Sequence, residues 1–581
     1  MNQPEAVTCD VLVIGSGAGG MSAAITAQSS GLDVLLIEKE PWLGGTTAIS
    51  GGWLWIPCNP LAQRAGIADS LDKARAYLQH ELEGRYDDRR IEAFLENGPK
   101  MVAFLEQAIG KRFILGDAYP DYHPDAPGAL SGGRALCPQP YDGRALGDKL
   151  HQLRPPIREL TLFGIKVGSG PDFQHFANAQ RSLRSALYVA GRVATHFRDV
   201  LLHGRDLLLM SGNALIGRLV EAAYDRNVRI WLSSPAQRLF REGDRVVGAM
   251  ALHFDAHVRI VARHGVILAT GGFSHDATRR SRLFPRQFSP QAFCSLAAPG
   301  NTGDGLQMAE KIGADVEETY VNPAAWMPMS RVPYADGTFG TYPHSFDRGK
   351  PGVIAVMSDG NRFVNESDSY HDFCAALVRA SATGCEPAAF LICDHRFIRR
   401  YGLGIAKPFP VPLRPYLRSG YLKRGQTLEE LAVRAGIDPA GLSRTISSFN
   451  AFAAQGRDPQ FGRGKNANNY YNGDAAHEPN PCLATIEKAP FYSVKVFPGD
   501  LNTFDGLNTD ENARVLDGEG RAITGLYAVG ADMASIFAGN YPGPGINIGA
   551  AMTFGYAAAR HIAALAELSS RSAADMATSL P

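Results

Sequence analysis

The chain has no excess charge of either sign. Across 581 residues, 58 Lys and Arg are matched by 58 Asp and Glu. No global field therefore favours a nucleic-acid partner or a strongly anionic surface. Cysteine is sparse: the eight residues lie far apart, and none stands in a C-x-x-C or metal-ligand spacing. That spacing excludes a disulfide framework, predicts no metal site and suits a reduced compartment. No apolar stretch approaches the ~20 residues that a membrane-spanning helix needs. The opening Met-Asn-Gln-Pro-Glu lacks the basic start of a signal peptide. A cytoplasmic protein is expected, with contact to a membrane surface as the only membrane role left.

The chain does have one complete dinucleotide fingerprint. Val11 to Ile14 reads as a strand, Gly15-Ser16-Gly17-Ala18-Gly19-Gly20 as a turn opening a helix, and Asp33 to Glu38 as a second strand ending in a carboxylate. Gly15 allows the tight turn, Gly17 lets the backbone approach a pyrophosphate, and Gly20 lets the helix pack close on the sheet. Free amides at the helix N-terminus face the phosphates, and Glu38 can take the ribose hydroxyls. A second fingerprint for a nicotinamide is absent, so electrons must leave to an external acceptor, for which a quinone is a candidate.

Two later segments read as returns to the same sheet: Gly265 to Gly272, and Gly525 to Asp532 nearly 260 residues on. Composition differs between about 279 and 492. The pattern predicts an α/β architecture with an α+β cap: a Rossmann-like domain built from residues 1–278 and 493–567, an inserted catalytic domain at 279–492, and a flexible polar tail at 568–581. A ligand site is expected at the domain interface. From Asn178 to Leu202 a helix is expected, with Leu183, Leu187, Ala190, Ala194, Phe197 and Leu201 on one stripe and Arg181, Arg184, Arg192 and Arg198 on the other faces. Such a stripe is expected to pack into the protein; the alternative is a helix resting on an anionic membrane.

The segments VIGSGAGG, EK, GGTTAISGG, ATGGF, NTGDGLQMAEKIGA, RFVNES and GLYAVGAD, in that order over residues 8 to 565, resemble the fumarate reductase and 3-ketosteroid dehydrogenase superfamily of flavoproteins. Residues 498–517 and 540–556 are most similar to the 3-ketosteroid dehydrogenases. The resemblance implies a tightly bound, non-covalent FAD. Under it the cofactor residues comprise the fingerprint, Glu38 and Lys39, Gly45, Thr46, Thr47, Ser50, Gly51 and Gly52, the strand ends Thr270–Gly271 and Gly530–Asp532, and Gly545, Asn547 and Ile548 at the start of the last helix. Two departures argue against the fumarate reductase branch. Its His-Pro-Thr segment is replaced by Asn322-Pro-Ala-Ala-Trp-Met, and its active-site Arg turn by Tyr541-Pro-Gly-Pro-Gly545. A dicarboxylate needs cations, and this turn offers a phenol and backbone amides.

Two converging neutral donors suit a carbonyl oxygen that becomes an enolate. The resemblance assigns Tyr541 and Gly545 that role and adds a pair of tyrosines for proton abstraction. Tyr342, before RFVNES, matches the first. The second falls in a DYYP element that here reads Asp121-Tyr122-His123-Pro124; either a His123-assisted relay or Tyr122 itself fills it, and Tyr119 stays a candidate. RFVNES, with Arg362, Asn365 and Glu366, is implied to lie near the flavin. Trp53, Trp55, Trp326, Met327, Met329 and Phe346 offer apolar surface for a flat hydrophobic substrate. The expected function is an FAD-dependent dehydrogenase that places a C=C bond beside a cyclic ketone, with a 3-ketosteroid as substrate at its 1,2 or 4,5 bond. The rivals are an ene-reductase, a desaturase of smaller cyclic ketones, and a non-catalytic binding protein on the same fold.

Overall fold

A computed structural model describes residues 6–578 apart from 111, 163, 169–170, 180–181, 286–293 and 382–385; the side chains of 171, 173, 177 and 572–578 also lie outside the description, as do Arg181 and Cys385. The fingerprint folds as β1 (Ala6–Ile14), α1 (Ala18–Ser29) and β2 (Val34–Ile37). β1 lies parallel to β2 on one side and to the Ala256–Leu268 strand on the other, in register Ile14 with Ile37 and with Leu268. The Ala522–Ala528 strand pairs in parallel beside Val266–Leu268. Both late returns therefore enter the nucleotide sheet, which has eight strands. A strand buried on both faces needs a continuous apolar run, and Val11–Ile14, Val34–Ile37 and Val266–Leu268 supply it.

The second sheet has seven strands centred on Phe491–Thr503, flanked by Ala324–Pro333 and Ala389–Cys393. Strand alternation buries both of its faces: Val353 and Ala355 join the main core, while Ile354 and Val356 pack under the Leu428–Ala435 and Pro439–Ala453 helices. Because Phe491–Thr503 pairs along its whole length in this sheet, the chain returns to the nucleotide sheet after Thr503 rather than at 493.

The Ile546–Thr578 helix crosses α1 closely: Ser22 Oγ donates to Met552 O at 2.7 Å, and a Cβ on Gly555 would stand 2.3 Å from Gly19 O. This contact brings the start of the last helix beside the fingerprint. The helix also continues through most of the expected tail, to Thr578.

The expected 178–202 helix forms at Leu183–His203, between the Ser182 cap and Gly204. Its apolar stripe is turned outward, overturning the expectation that it packs into the protein.

Candidate active site

Gly15 has φ +110°, and a Cβ there would lie 2.1 Å from Ala269 O. A Cβ on Gly20 would lie 2.0 Å from Gly15 O, so helix and strand meet as the fingerprint requires. A Cβ on Gly17 would meet only Thr47 Oγ1, at 4.0 Å. The N-cap Gly17 of α1 has no side chain to cap the first turn, which suits the helix N-terminus to a pyrophosphate. Across it, the buried Glu38 carboxylate accepts from Ser16 N, Ser16 Oγ and Glu40 N at 3.0, 2.5 and 2.9 Å. Thr47 Oγ1 accepts from Ala18 N, and Ser50 Oγ donates to Thr47 O while accepting from Gly52 N. Gly45 is open on its Cβ side, and Gly51 meets only the Trp53 ring. The cradle fits a flavin dinucleotide.

Three more of the expected cofactor side chains, Lys39, Asp532 and Thr46, are also engaged within the protein. The Lys39 ammonium donates to Gly300 O, Thr302 Oγ1 and Asp304 Oδ2 at 2.8, 2.6 and 2.8 Å, which uses all three of its protons. It ties the fingerprint to the Asp304–Glu310 helix instead of facing a phosphate. Asp532, pushed up to about 6 by burial, clips the two returning strands by accepting from Thr270 N, Thr270 Oγ1 and Gly272 N. Thr46 Oγ1 accepts from Ala298 N and Asn301 Nδ2.

At the carboxyl end, the 541–545 turn is pinned from outside. The Pro542 carbonyl accepts from Tyr77 Oη at 2.6 Å and Tyr122 N at 2.9 Å. Gly545 has φ +93°, and a Cβ there would lie 2.3 Å from the Trp53 backbone, so the turn requires glycine. Its carbonyl accepts from Trp55 N and Gly549 N, whereas among the described residues its N–H has no acceptor. Asn547 Nδ2 donates to Asn502 Oδ1 at 2.9 Å and reaches Tyr541 Oη at 3.4 Å; Ile548 and Gly530 lie beside the same helix start. A small cleft lined by Asn502, Thr503, Gly530, Ile546, Asn547 and Ala551 opens at this point.

Tyr541 heads a cluster of phenols. Its ring stacks on Tyr122 at 5.8 Å and meets Tyr370 edge-on at 5.1 Å; Tyr122 meets Tyr370 at 5.6 Å. Tyr119 Oη stands 3.5 Å from Tyr122 Oη, and the Tyr119 ring lies between Tyr471 and Trp53. The 119–122 loop is set by Asp121, whose buried carboxylate accepts from Trp55 Nε1, Arg134 Nη1 and Leu130 N. Burial pushes the Tyr119 phenol up to about 12 and those of Tyr122, Tyr370 and Tyr541 above their ordinary range. At neutral pH every member of the cluster is a neutral donor.

An FAD-binding-domain family model matches residues 10–548. The chain is 40% identical over 566 residues to 4-oxocyclohex-2-ene-1-carboxylate 5-dehydrogenase of Sinomonas cyclohexanicum, covering 97% of this chain and 95% of that one. It is 36% identical over 567 residues to 3-oxosteroid 1-dehydrogenase of Mycobacterium tuberculosis H37Rv, covering 95% and 98%. The solved 3-ketosteroid Δ1-dehydrogenase of Sterolibacterium denitrificans superposes with a TM-score of 0.88 at 37% identity, over 96% of this chain and 99% of that one. This chain belongs to the FAD-binding dehydrogenase family. It is an FAD-dependent oxidoreductase whose relatives are named for steroid and cyclohexane-carboxylate ketones.

Within this flavoprotein the expected proton-abstracting pair needs correction. Tyr342 stands on the Phe339–Pro343 strand opposite Ser330, its ring against His344 and under Lys407. None of these neighbours belongs to the phenol cluster. Tyr370, which sequence reasoning missed, lies in the phenol cluster against Tyr122 and Tyr541. It follows RFVNES instead of preceding it, as the first residue of the Ser369-capped Tyr370–Ala380 helix. That serine cap, with Asp372 three residues on, was the available signal.

His123 is not poised as a relay. Its Nδ1 meets Glu81 at 2.5 Å and its Nε2 meets Asp372 at 2.9 Å. Burial alone would lower its pKa, but the two carboxylates outweigh that and hold it up at about 11. His123 is thus an imidazolium clamp joining the Tyr122 loop to the Tyr370 helix.

The RFVNES segment is also structural. Arg362 forks onto Glu366 and Asp458, and Arg463 Nη1 reaches Glu366 at 3.1 Å, in a fully buried network inside the cap. Of the six apolar side chains expected at the substrate, Trp53 touches the phenol cluster, while Trp55, Trp326, Met327 and Met329 are core residues and Phe346 is partly exposed.

Proposed function

We propose that this enzyme removes hydrogen from the two carbons α and β to a cyclic ketone, with a 3-ketosteroid as its substrate. The observation that carries the reading is the pairing, in one glycine-dependent turn, of a buried neutral phenol at Tyr541 with an unbonded amide at Gly545. Both donate to the ketone oxygen and stabilise the charge it gains as the α-carbon is deprotonated. FAD, when bound, supplies the hydride acceptor. The α-proton goes to Tyr370 as its phenolate, after the phenolic proton has left by way of Tyr122 toward Tyr119. Burial raises that phenol and keeps the ionised form scarce, but its place at the first residue of a helix favours the phenolate. As the hydride leaves the β-carbon, the enolate electrons close the C=C bond and the ketone re-forms.

The turn offers no cation for a dicarboxylate, which weighs against fumarate-type reduction. The 40% identical relative is named for a ring ketone bearing a carboxylate, and this supports a second reading on a smaller ring. The acceptor of the electrons in either case is an external one of the quinone class.

Anaerobic titration of the FAD-loaded enzyme separates the readings. Bleaching of the flavin by a saturated 3-ketosteroid supports the first. Bleaching by 4-oxocyclohexanecarboxylate alone replaces it with the second. No bleaching by any ketone, with reoxidation of the reduced enzyme by enones, overturns both in favour of an ene-reductase.

A further inference from the structure

The Leu183–His203 helix carries its polar side chains inward. Ser185, Arg192, His196 and Asp199 are buried, whereas Leu183, Leu187, Phe197, Leu201 and Leu202 are 78, 66, 58, 85 and 66% exposed. The inward residues are partnered, which fixes the orientation: Ser185 Oγ meets His175 Nδ1, His196 Nδ1 meets Asp206, and Arg192 faces Asp172 and donates to Lys166 O. The outward face is one long apolar stripe, of a kind that marks an interaction site on a soluble protein.

Charge decides what it meets. The helix's exposed charged side chains are Arg184 and Arg198, with His203 at the end; its one acid, Asp199, is buried and paired with Arg198 at 2.7 Å. A two-fold contact with a second copy would set this same face, without an exposed acid, against itself and bring arginine toward arginine. An anionic lipid surface accepts both features: leucine and phenylalanine enter the acyl boundary while the arginines stay at the headgroups.

The helix is also tied to the flavin side of the molecule. Arg192 bonds the Lys166 carbonyl, and Lys166 Nζ donates to Ser50 O at 3.1 Å, in the loop assigned to the cofactor. We propose that the Leu183–His203 helix lies in the plane of an anionic membrane and seats the enzyme there, so that a lipid-soluble reactant meets the flavin loop from the bilayer side. The docking itself does not depend on which ketone is oxidised.

The test is flotation of the FAD-loaded enzyme with vesicles of phosphatidylglycerol in phosphatidylcholine, and with phosphatidylcholine alone. Wild type is expected to float with the anionic vesicles and to be released by salt. Leu187→Glu/Phe197→Glu/Leu201→Glu, all at exposed positions, should keep FAD and turnover on a water-soluble ketone while its partition falls by about 100-fold or more. Arg184→Gln should weaken anionic binding by about fivefold. The proposal is overturned if wild type stays unbound on every vesicle, or if the triple variant floats equally well. It is also overturned if wild type is an oligomer that the triple variant splits without any vesicle binding, which would make a second copy the partner.

Discussion

Replacing Tyr541 with phenylalanine isolates one donor of the ketone turn. The ring sits among Tyr122, Tyr370, His371 and Phe504 at 5.8, 5.1, 5.8 and 6.1 Å, and phenylalanine fills the same space. In the resting protein the phenol has a long contact from Asn547 Nδ2 and a hydrogen bond with the Tyr370 phenol. Folding and FAD content should therefore be kept. In the reaction, one of two donors to the developing enolate is lost, which typically costs 10²–10³ in rate, or about 2.7–4 kcal/mol. Because the interaction strengthens only as charge develops, kcat and kcat/KM should fall together. Anaerobic stopped-flow following the oxidised-flavin band measures the step directly. Wild-type bleaching rates in Tyr541→Phe with full flavin content would refute the assignment.

Tyr370→Phe should lose roughly 10²–10⁴ in turnover as a missing proton acceptor, while Tyr342→Phe should stay within about threefold of wild type; the reverse order in a steady-state assay would restore Tyr342. Because burial holds the Tyr370 phenol well above its ordinary value of 10, its ionised fraction grows about tenfold per pH unit below that value. Log kcat/KM should thus climb with a slope near one through the neutral range, and a flat profile would speak against a buried phenol base. The His123 clamp gives a stability signature. His123 is raised from 6.5 to about 11, so its contribution is complete below 6.5 and disappears as pH rises to 11. Asp372 is lowered from 3.8 to about 2 against burial, chiefly by His123, so its contribution is present above 3.8 and is lost toward 2. The difference in thermal midpoint between wild type and His123→Gln should be widest between these limits and close on the alkaline side. The ring is 39% exposed, so solvent screening keeps the difference modest. An equal difference across the alkaline range would contradict the clamp.

What was legible in the sequence was whatever local sterics dictate. Gly15 and Gly20 could be read because no other residue fits between strand and helix, and the Val266–Leu268 and Leu526–Ala528 strands because strands buried on both faces must be apolar. The Tyr541–Gly545 turn was singled out by its neutral donors and by resemblance, and the structure adds that Gly545 leaves no room for a side chain. Residues brought together by long-range packing were not legible. Tyr342 stands well before RFVNES and Tyr370 three residues after it, and only the cap sheet's register carries the first away from the site. Lys39 and Asp532 look like cofactor ligands until their partners at 300–304 and 270–272 are in place. The helix at 183–203 has ordinary amphipathic periodicity, which gives two faces without saying which one is covered. That depended on Asp172, His175 and Asp206, which draw its polar side inward.

The central claim is that Tyr541 and Gly545 together hold the substrate oxygen. A crystal structure of the FAD-loaded enzyme with a bound cyclic ketone tests it most directly. The account predicts the ketone oxygen within about 3 Å of both Tyr541 Oη and Gly545 N, with Tyr370 at the α-carbon. A ketone oxygen bonded elsewhere, with this turn empty, would contradict it.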